Sequence, residues 1–127
     1  EVLTMIPNDR KYTREHDWLL IENGIPKLGI TDHAQKELGD IVYVELPEVD
    51  DEFAIGDTYT TVESVKAASP VCTPVAGRVV EINSALDDEP ELLNEAPYEQ
   101  FIAAIEVSEI NDAELLTAEE YEKFLAE

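Results

Sequence analysis

The chain has 127 residues, 44% of them hydrophobic, and 30 acidic against 8 basic side chains give it a formal charge of −22. That length suffices for one domain with a core of its own, and residues 1–127 are read as a single unit. So acidic a surface repels phosphate backbones and anionic lipid, which argues against nucleic acid and membrane surfaces as ligands and favours proteins with basic patches. The single cysteine, Cys72, has no internal disulfide partner, and no zinc-type Cys spacing exists, so a reducing compartment is expected. No apolar run reaches the ~18–20 residues of a membrane span. The opening EVLTMIPNDRKY does not read as a secretory signal, although Glu at position 1 leaves a processed leader open.

Trp18 to Glu22 and Ile25 to Ile30 are β-leaning runs on either side of Asn23-Gly24, the strongest hairpin signal in the chain. Thr31 or Asp32 then caps a short helix over His33 to Leu38, which Gly39 ends. Strands follow at Ile41 to Leu46 and, after a turn at Ala54-Ile55-Gly56-Asp57, at Thr58 to Val65. Val71 to Val75 and Arg78 to Asn83 are two more, with a turn at Ala76-Gly77 between them, and Phe101 to Val107 is the last. Thr117 to Glu120 forms a capping box, and Ala118, Tyr121, Phe124 and Leu125 share one face of a helix expected to pack on the β body. Trp18, Tyr12 and Tyr43 are read as core. Short strands punctuated by turns, with helices at the edges, predict a mainly β antiparallel barrel or sandwich with a C-terminal helix.

A weak internal repeat refines that picture. Gly39 to Val44 matches Gly77 to Ile82, and Ala54 to Asp57 aligns with Leu92 to Glu95 at the same spacing. Two such units about a pseudo-two-fold axis would place the segment around Lys66 on the hairpin joining them, exposed at one end. Between Glu37 and Glu122 the only cations are Lys66 and Arg78. A hairpin-tip lysine carries a solvated amine on four mobile methylenes, and Ala67 and Ala68 add no bulk to obstruct an enzyme that must enclose it. Glu63 is placed to position the amine or to contact that enzyme. The plain alternative is a surface lysine paired with an acid, which contributes little.

Glu63-Ser64-Val65-Lys66-Ala67, preceded by a strand and followed by Ser69 to Gly77, resembles the lipoyl-lysine segment of the glycine cleavage system H protein family. The likeness continues through Lys11 to Trp18 (KYTREHDW), Gly29 to Gln35 (GITDHAQ), Leu38 to Pro47 (LGDIVYVELP), Glu91 to Asn94 and Pro97-Tyr98, covering about Ile6 to Leu125. It implies a barrel-sandwich hybrid of the lipoyl- and biotinyl-carrier kind with short peripheral helices. It further implies lipoic acid amide-linked to Lys66, with Glu63, Ser64, Val65 and Ala67 as the context that a lipoate ligase or lipoyl transferase recognises.

By the same resemblance the chain is a carrier without catalysis of its own. A pyridoxal-phosphate glycine decarboxylase loads an aminomethyl group on the arm, an aminomethyltransferase passes the one-carbon unit to tetrahydrofolate, and dihydrolipoamide dehydrogenase restores the disulfide. A monomer is expected, cytoplasmic in a bacterium or in the mitochondrial matrix of a eukaryote. The chain departs from the family pattern at Pro70, where an acidic residue is usual, at Gln100-Phe101 in place of Gly-Trp, and in a last strand without lysines. Pro70 and the altered Gly-Trp region favour, as the alternative, an H-like carrier used in lipoyl relay or with a different redox partner. An unmodified acidic interaction domain is a third reading. A biotin carrier fits poorly because no methionines flank Lys66.

His16 and His33 lack a repeated ligand spacing and are read as structural or surface residues, with a cleft contact for His33 as the alternative. Cys72 is read as a small, half-buried strand residue. Asp50-Asp51-Glu52 and Asp87-Asp88-Glu89 lack the EF-hand spacing and its glycine, so they are read as solvated turns. No G-x-S-x-G nucleophile motif or phosphate-cradling glycine loop occurs.

Overall fold

The structure is a computed structural model that describes residues 6–22, 24–110 and 112–126. In chain order the elements are β1 (Lys11–Tyr12), β2 (Asp17–Glu22), β3 (Ile25–Ile30), α1 (Asp32–Leu38), β4 (Ile41–Glu45), β5 (Glu52–Phe53), β6 (Thr58–Ser64) and β7 (Ala68–Cys72). They continue as β8 (Val75–Ile82), α2 (Ala85–Asp88), α3 (Leu92–Glu95), β9 (Ala103–Ile110), a 3₁₀ turn over Asp112–Glu114, and α4 (Ala118–Ala126). Two antiparallel sheets result, one with the order β1-β2-β3-β9-β8-β5 and one with the order β4-β6-β7. Among the described residues no strand of one sheet pairs with a strand of the other, so the arrangement is a sandwich and not a closed barrel.

The inner faces explain why the sheets stay together. Leu28, Val75, Val79 and Ile105 of the larger sheet meet Ile41, Val44, Tyr59, Val62 and Val71 of the smaller one in a single buried cluster. Each fully buried side chain of this kind contributes about 1.5–3 kcal/mol relative to exposure. A second cluster forms where the apolar face of α4 meets β1 and β2: Tyr121 stacks on Tyr12 with ring centroids 4.8 Å apart, and Trp18 completes the wall. The helix face formed by Ala118, Tyr121, Phe124 and Leu125 packs on the β body as its periodicity predicts. Its capping box is formed, with Glu120 N–H donating to Thr117 Oγ1 at 3.2 Å and Thr117 N–H to Glu120 Oε1 at 2.9 Å.

Several expectations are corrected. The strand expected to break at Ala76-Gly77 runs through it as β8, and the chain turns instead between β7 and β8, at Thr73-Pro74. Gly77 therefore serves close approach: a Cβ there would run into the carbonyl oxygen of Glu106 on β9. Only half of the internal repeat corresponds in structure. Ile41 to Val44 and Val79 to Ile82 are both strand, in opposite sheets, but Ala54 to Asp57 is a turn whereas Leu92 to Glu95 is helix. Tyr43, read as core, is 43% exposed, because a register irregularity between Ile41 and Tyr43 interrupts the inward-outward alternation of β4. The β2–β3 pairing is in register up to Glu22 opposite Ile25. Asn23, the first residue of the expected turn, lies outside the described residues.

Candidate functional site: the Lys66 hairpin and the groove beside it

Strands β6 and β7 pair with Glu63 opposite Ala68, which leaves Ser64 to Ala67 to make the connecting turn. Ser64 builds it. Its N–H donates to the Ala67 carbonyl at 2.8 Å, while its hydroxyl oxygen accepts from the N–H groups of Lys66 (3.2 Å) and Ala67 (3.3 Å). A serine hydroxyl that satisfies turn amides locally replaces what a longer loop would draw from water. Sequence reading marked Ser64 only as recognition context, whereas the structure gives it the turn itself.

The turn is held against the body from below. Val65 N–H donates to the Asp40 carbonyl at 3.0 Å, tying the hairpin to the α1–β4 connection. That connection is itself clamped by Asn94 of α3, whose amide donates to Gln35 Oε1 (2.8 Å) and the Gly39 carbonyl (2.9 Å) and accepts from Ile41 N–H (2.9 Å). Gly39 ends α1 at φ +79°, a conformation that favours glycine, and a Cβ there would lie 3.3 Å from Lys66 Cε. Asn94 was legible only as part of a motif, since nothing in its neighbours announces a clamp fifty residues away in the chain.

Lys66 is exposed, and its Nζ donates to the Glu37 carbonyl at 3.3 Å. Among the described residues no carboxylate forms an ion pair with it, so the expected alternative of a lysine locked to an acid does not hold. Glu63, opposite both Tyr43 and Ala68, is half-buried in the strand and does not bond to the amine. Val65 and Ala67 flank the lysine as exposed residues of the turn tip.

A groove starts beneath this amine. Glu37, whose carbonyl holds Lys66 Nζ, lines a cavity of about 180 Å³ between α1 and β7, walled by Leu38, Pro70 and Val71 and reaching His16, Asp17 and Cys72. Glu15, Asp17 and Cys72 also line a neighbouring cavity of about 480 Å³ that continues toward Thr73 and Pro74. Cys72 is half-buried on β7, as expected of it.

Asp17 is the unusual member. It is 5% exposed, and the side-chain partner of its carboxylate is the Thr13 hydroxyl at 3.4 Å. Burial holds its carboxyl well above the usual carboxylate range, with the Thr13 hydroxyl opposing weakly. The Tyr59 hydroxyl, buried and without a hydrogen-bond partner among the described residues, is pushed up chiefly by burial and secondarily by Asp17. A carboxyl whose pKa is raised on folding contributes stability that is complete below its unfolded value near 3.8 and is lost as pH rises through the folded value. Asp17→Asn, which never ionises, is therefore expected to exceed the parent in stability at pH 7. The gap should close below about pH 4, where the parent is protonated in both states. Denaturant titrations across pH that superimpose for the two proteins would contradict this.

His16 and His33 are not isolated from one another: their ring centroids lie 4.2 Å apart. His16 Nδ1 is 2.9 Å from the Tyr121 hydroxyl, which is 2.8 Å from Thr31 Oγ1, and His33 Nε2 is 3.4 Å from Glu37 Oε1. Burial, then the neighbouring His33, lowers the His16 pKa. These contacts join α1 to α4, which is the structural role expected of them, and it is His16 rather than His33 that lines the groove at the hairpin. Among the described residues no group of three or more His, Cys, Asp or Glu side chains is disposed to hold a metal ion. Asp50 and Asp51 are engaged instead by Arg78 and by Glu48 N–H.

A two-sheet sandwich that lifts an exposed lysine, without an ion pair among the described residues, on a two-strand hairpin beside a groove has the geometry of a carrier protein. The family described as glycine cleavage H-protein matches residues 10–127, and the chain belongs to it. Glycine cleavage system H proteins from two strains of Staphylococcus epidermidis are each 48% identical over 124 residues, spanning 96% of this chain and 98% of theirs. The crystal structure of a glycine cleavage system H protein from Mycobacterium marinum superposes with a TM-score of 0.88 at 35% identity, over 96% of this chain and all of the other. Membership makes the chain a carrier component of the glycine cleavage system. No helix among the described residues is long and apolar enough to cross a membrane.

Proposed function

We propose that the chain, residues 1–127 acting as one carrier unit, bears lipoic acid amide-linked to Lys66 and shuttles the aminomethyl group of glycine from the pyridoxal-phosphate glycine decarboxylase to the aminomethyltransferase, dihydrolipoamide dehydrogenase then regenerating the disulfide. The observation that carries this reading is the exposed Lys66 amine, held among the described residues by one backbone acceptor and no carboxylate. Amidating such an amine breaks one long hydrogen bond and strands no buried charge, so the residues present fit the group. When bound, the lipoyl group supplies a two-electron disulfide couple and a sulfur to which the cargo attaches.

The chain's own residues do the rest. Ser64 and the Asp40 carbonyl fix the turn from which the tether swings, and tethering raises the local concentration of its end at successive active sites. The groove from Glu37 to Asp17 gives an arm a place to lie, with the uncharged walls Leu38, Pro70 and Val71. A cationic amine carried into that groove would find Asp17 as its counter-charge, and pairing with it would offset the cost of ionising a buried carboxyl. Removal of the Lys66 charge on amidation leaves the surface one unit more negative, suited to partners with basic docking faces. The relatives are bacterial, which supports a cytoplasmic site of action and a bacterial lipoate ligase or lipoyl transferase as the modifying enzyme.

Pro70 on the groove wall contributes no charge, which favours as a second reading an H-like carrier for lipoyl relay, where no amine needs shelter. Reconstitution with glycine decarboxylase, aminomethyltransferase and dihydrolipoamide dehydrogenase separates the two. The first reading expects glycine-dependent methylene transfer to tetrahydrofolate that slows as salt is added. A fully lipoylated chain that supports no transfer would leave the relay reading in its place.

A further inference from the structure

The β4 strand carries an irregularity that its packing does not require. Ile41 lies opposite Ser64 and Tyr43 opposite Glu63, so two residues on β4 span a single step on β6 and Val42 is the extra one. An uninterrupted strand would send one of two successive side chains into the core. Here Val42 (54% exposed) and Tyr43 (43%) are both exposed while Ile41 and Val44 stay buried. Bulges of this kind re-aim side chains, and this one sits beside Lys66. Val65 of the hairpin, 68% exposed, is joined to the residue before Ile41 by its hydrogen bond to the Asp40 carbonyl. Three exposed apolar side chains thus belong to the Lys66 hairpin and to the β4 strand paired beside it.

Their surroundings state the chemistry of what would cover them. Glu63 lies directly across from Tyr43, Glu45 is two residues along the same strand, and Asp40 and Glu37 are exposed below the hairpin. Lys66 is the one cation in this part of the chain, with no Lys or Arg between Lys36 and Lys66. An apolar centre with an acidic rim matches a protein presenting an apolar socket with a rim of Lys or Arg, and opposes docking of another copy of so acidic a chain.

We propose that Val42, Tyr43 and Val65 form the docking pad for the enzyme that acylates Lys66, which seats its apolar socket there and its basic rim on Asp40, Glu45 and Glu63. The proposal rests on the reading of Lys66 as the lipoyl attachment site. Its test is the steady-state kinetics of a purified lipoate ligase, supplied with lipoate and ATP, acting on the whole unmodified chain. Tyr43→Ser and the double variant Val42→Ser/Val65→Ser should each lower kcat/KM by about tenfold, as central apolar contacts do. The loss should lie in KM, with the saturating rate kept. Ile21→Ser, an equally exposed apolar residue on β2 in the other sheet, should stay within about twofold of the parent, the range of a surface change without a partner. Asp40→Lys and Glu45→Lys should lower kcat/KM and flatten its salt dependence while leaving the apolar pad intact, so the proposal does not depend on how the serine variants fold.

Parental kcat/KM in the folded pad variants would overturn the proposal alone. So would a parent chain that sediments as a dimer and becomes a monomer on Tyr43→Ser, since the pad would then face a second copy. A parent chain that the ligase never acylates would overturn the attachment reading first and this proposal with it.

Discussion

Lys66→Arg is expected to abolish lipoyl attachment, and with it all glycine-dependent one-carbon transfer, while leaving the fold and its melting temperature as they were. Acylation requires a neutral amine as nucleophile, and a guanidinium remains protonated and delocalised at any physiological pH. The rest of the site is untouched by the change. Lys66 is exposed, forms no ion pair among the described residues, and contributes one 3.3 Å hydrogen bond to the Glu37 carbonyl that arginine can also donate. Stability should therefore move by no more than about 0.5 kcal/mol, the ordinary range for surface substitutions. Intact mass and circular dichroism measured on one preparation check both halves. A Lys66→Arg chain that still gains the lipoyl mass would place the attachment elsewhere.

Gly77→Ala should be strongly destabilising. Its Cβ would run into the Glu106 carbonyl oxygen, come within 2.7 Å of Ile105 Cγ2 and lie 2.9 Å from the Glu106 carbonyl carbon. Two of those atoms are backbone on β9, so relief requires moving the central β8–β9 pair apart at Gly77 opposite Val107. A loss of about 3 kcal/mol or more is expected, at the upper end of overpacking costs and a large fraction of the roughly 5–15 kcal/mol that stabilises a domain. Gly56→Ala is the contrast: its φ of +92° disfavours alanine, but nothing lies within 4 Å of the added Cβ, and about 1 kcal/mol is expected. Thermal unfolding of the two variants side by side, with equal midpoints, would contradict the reason given for Gly77.

That glycine also marks where sequence reasoning reached its limit. Ala76-Gly77 reads as a turn because glycine is punctuation in most strands, and only the partner strand reveals that the residue is small to admit a carbonyl. Tyr43 failed for a related reason. Alternation assigns faces only while the register is continuous, and a bulge is set by the pairing of β4 with β6, which a linear pattern does not encode. The four-residue helices α2 and α3 were missed because a single turn has no periodicity to detect, although Asn94 in α3 fixes the loop beneath the lysine.

What was legible rested on local chemistry. The capped helix after Thr31, the capping box at Thr117, the amphipathic face of α4 and the paired β2 and β3 strands each follow from residues within a few positions. Lys66 was legible for another reason: in a chain so poor in cations, an isolated lysine among small residues stands out without any knowledge of its surroundings. Asp17 did not stand out, since one more acid among thirty carries no signal until burial sets it apart.

The most direct test of the account is peptide-mapped mass spectrometry of the intact chain after incubation with a lipoate ligase, lipoate and ATP. One lipoyl group on the peptide containing Lys66, with Lys11, Lys27, Lys36 and Lys123 unmodified, is the predicted result. An unmodified Lys66 under conditions that lipoylate a relative, or an adduct confined to any of the other four lysines, would contradict it.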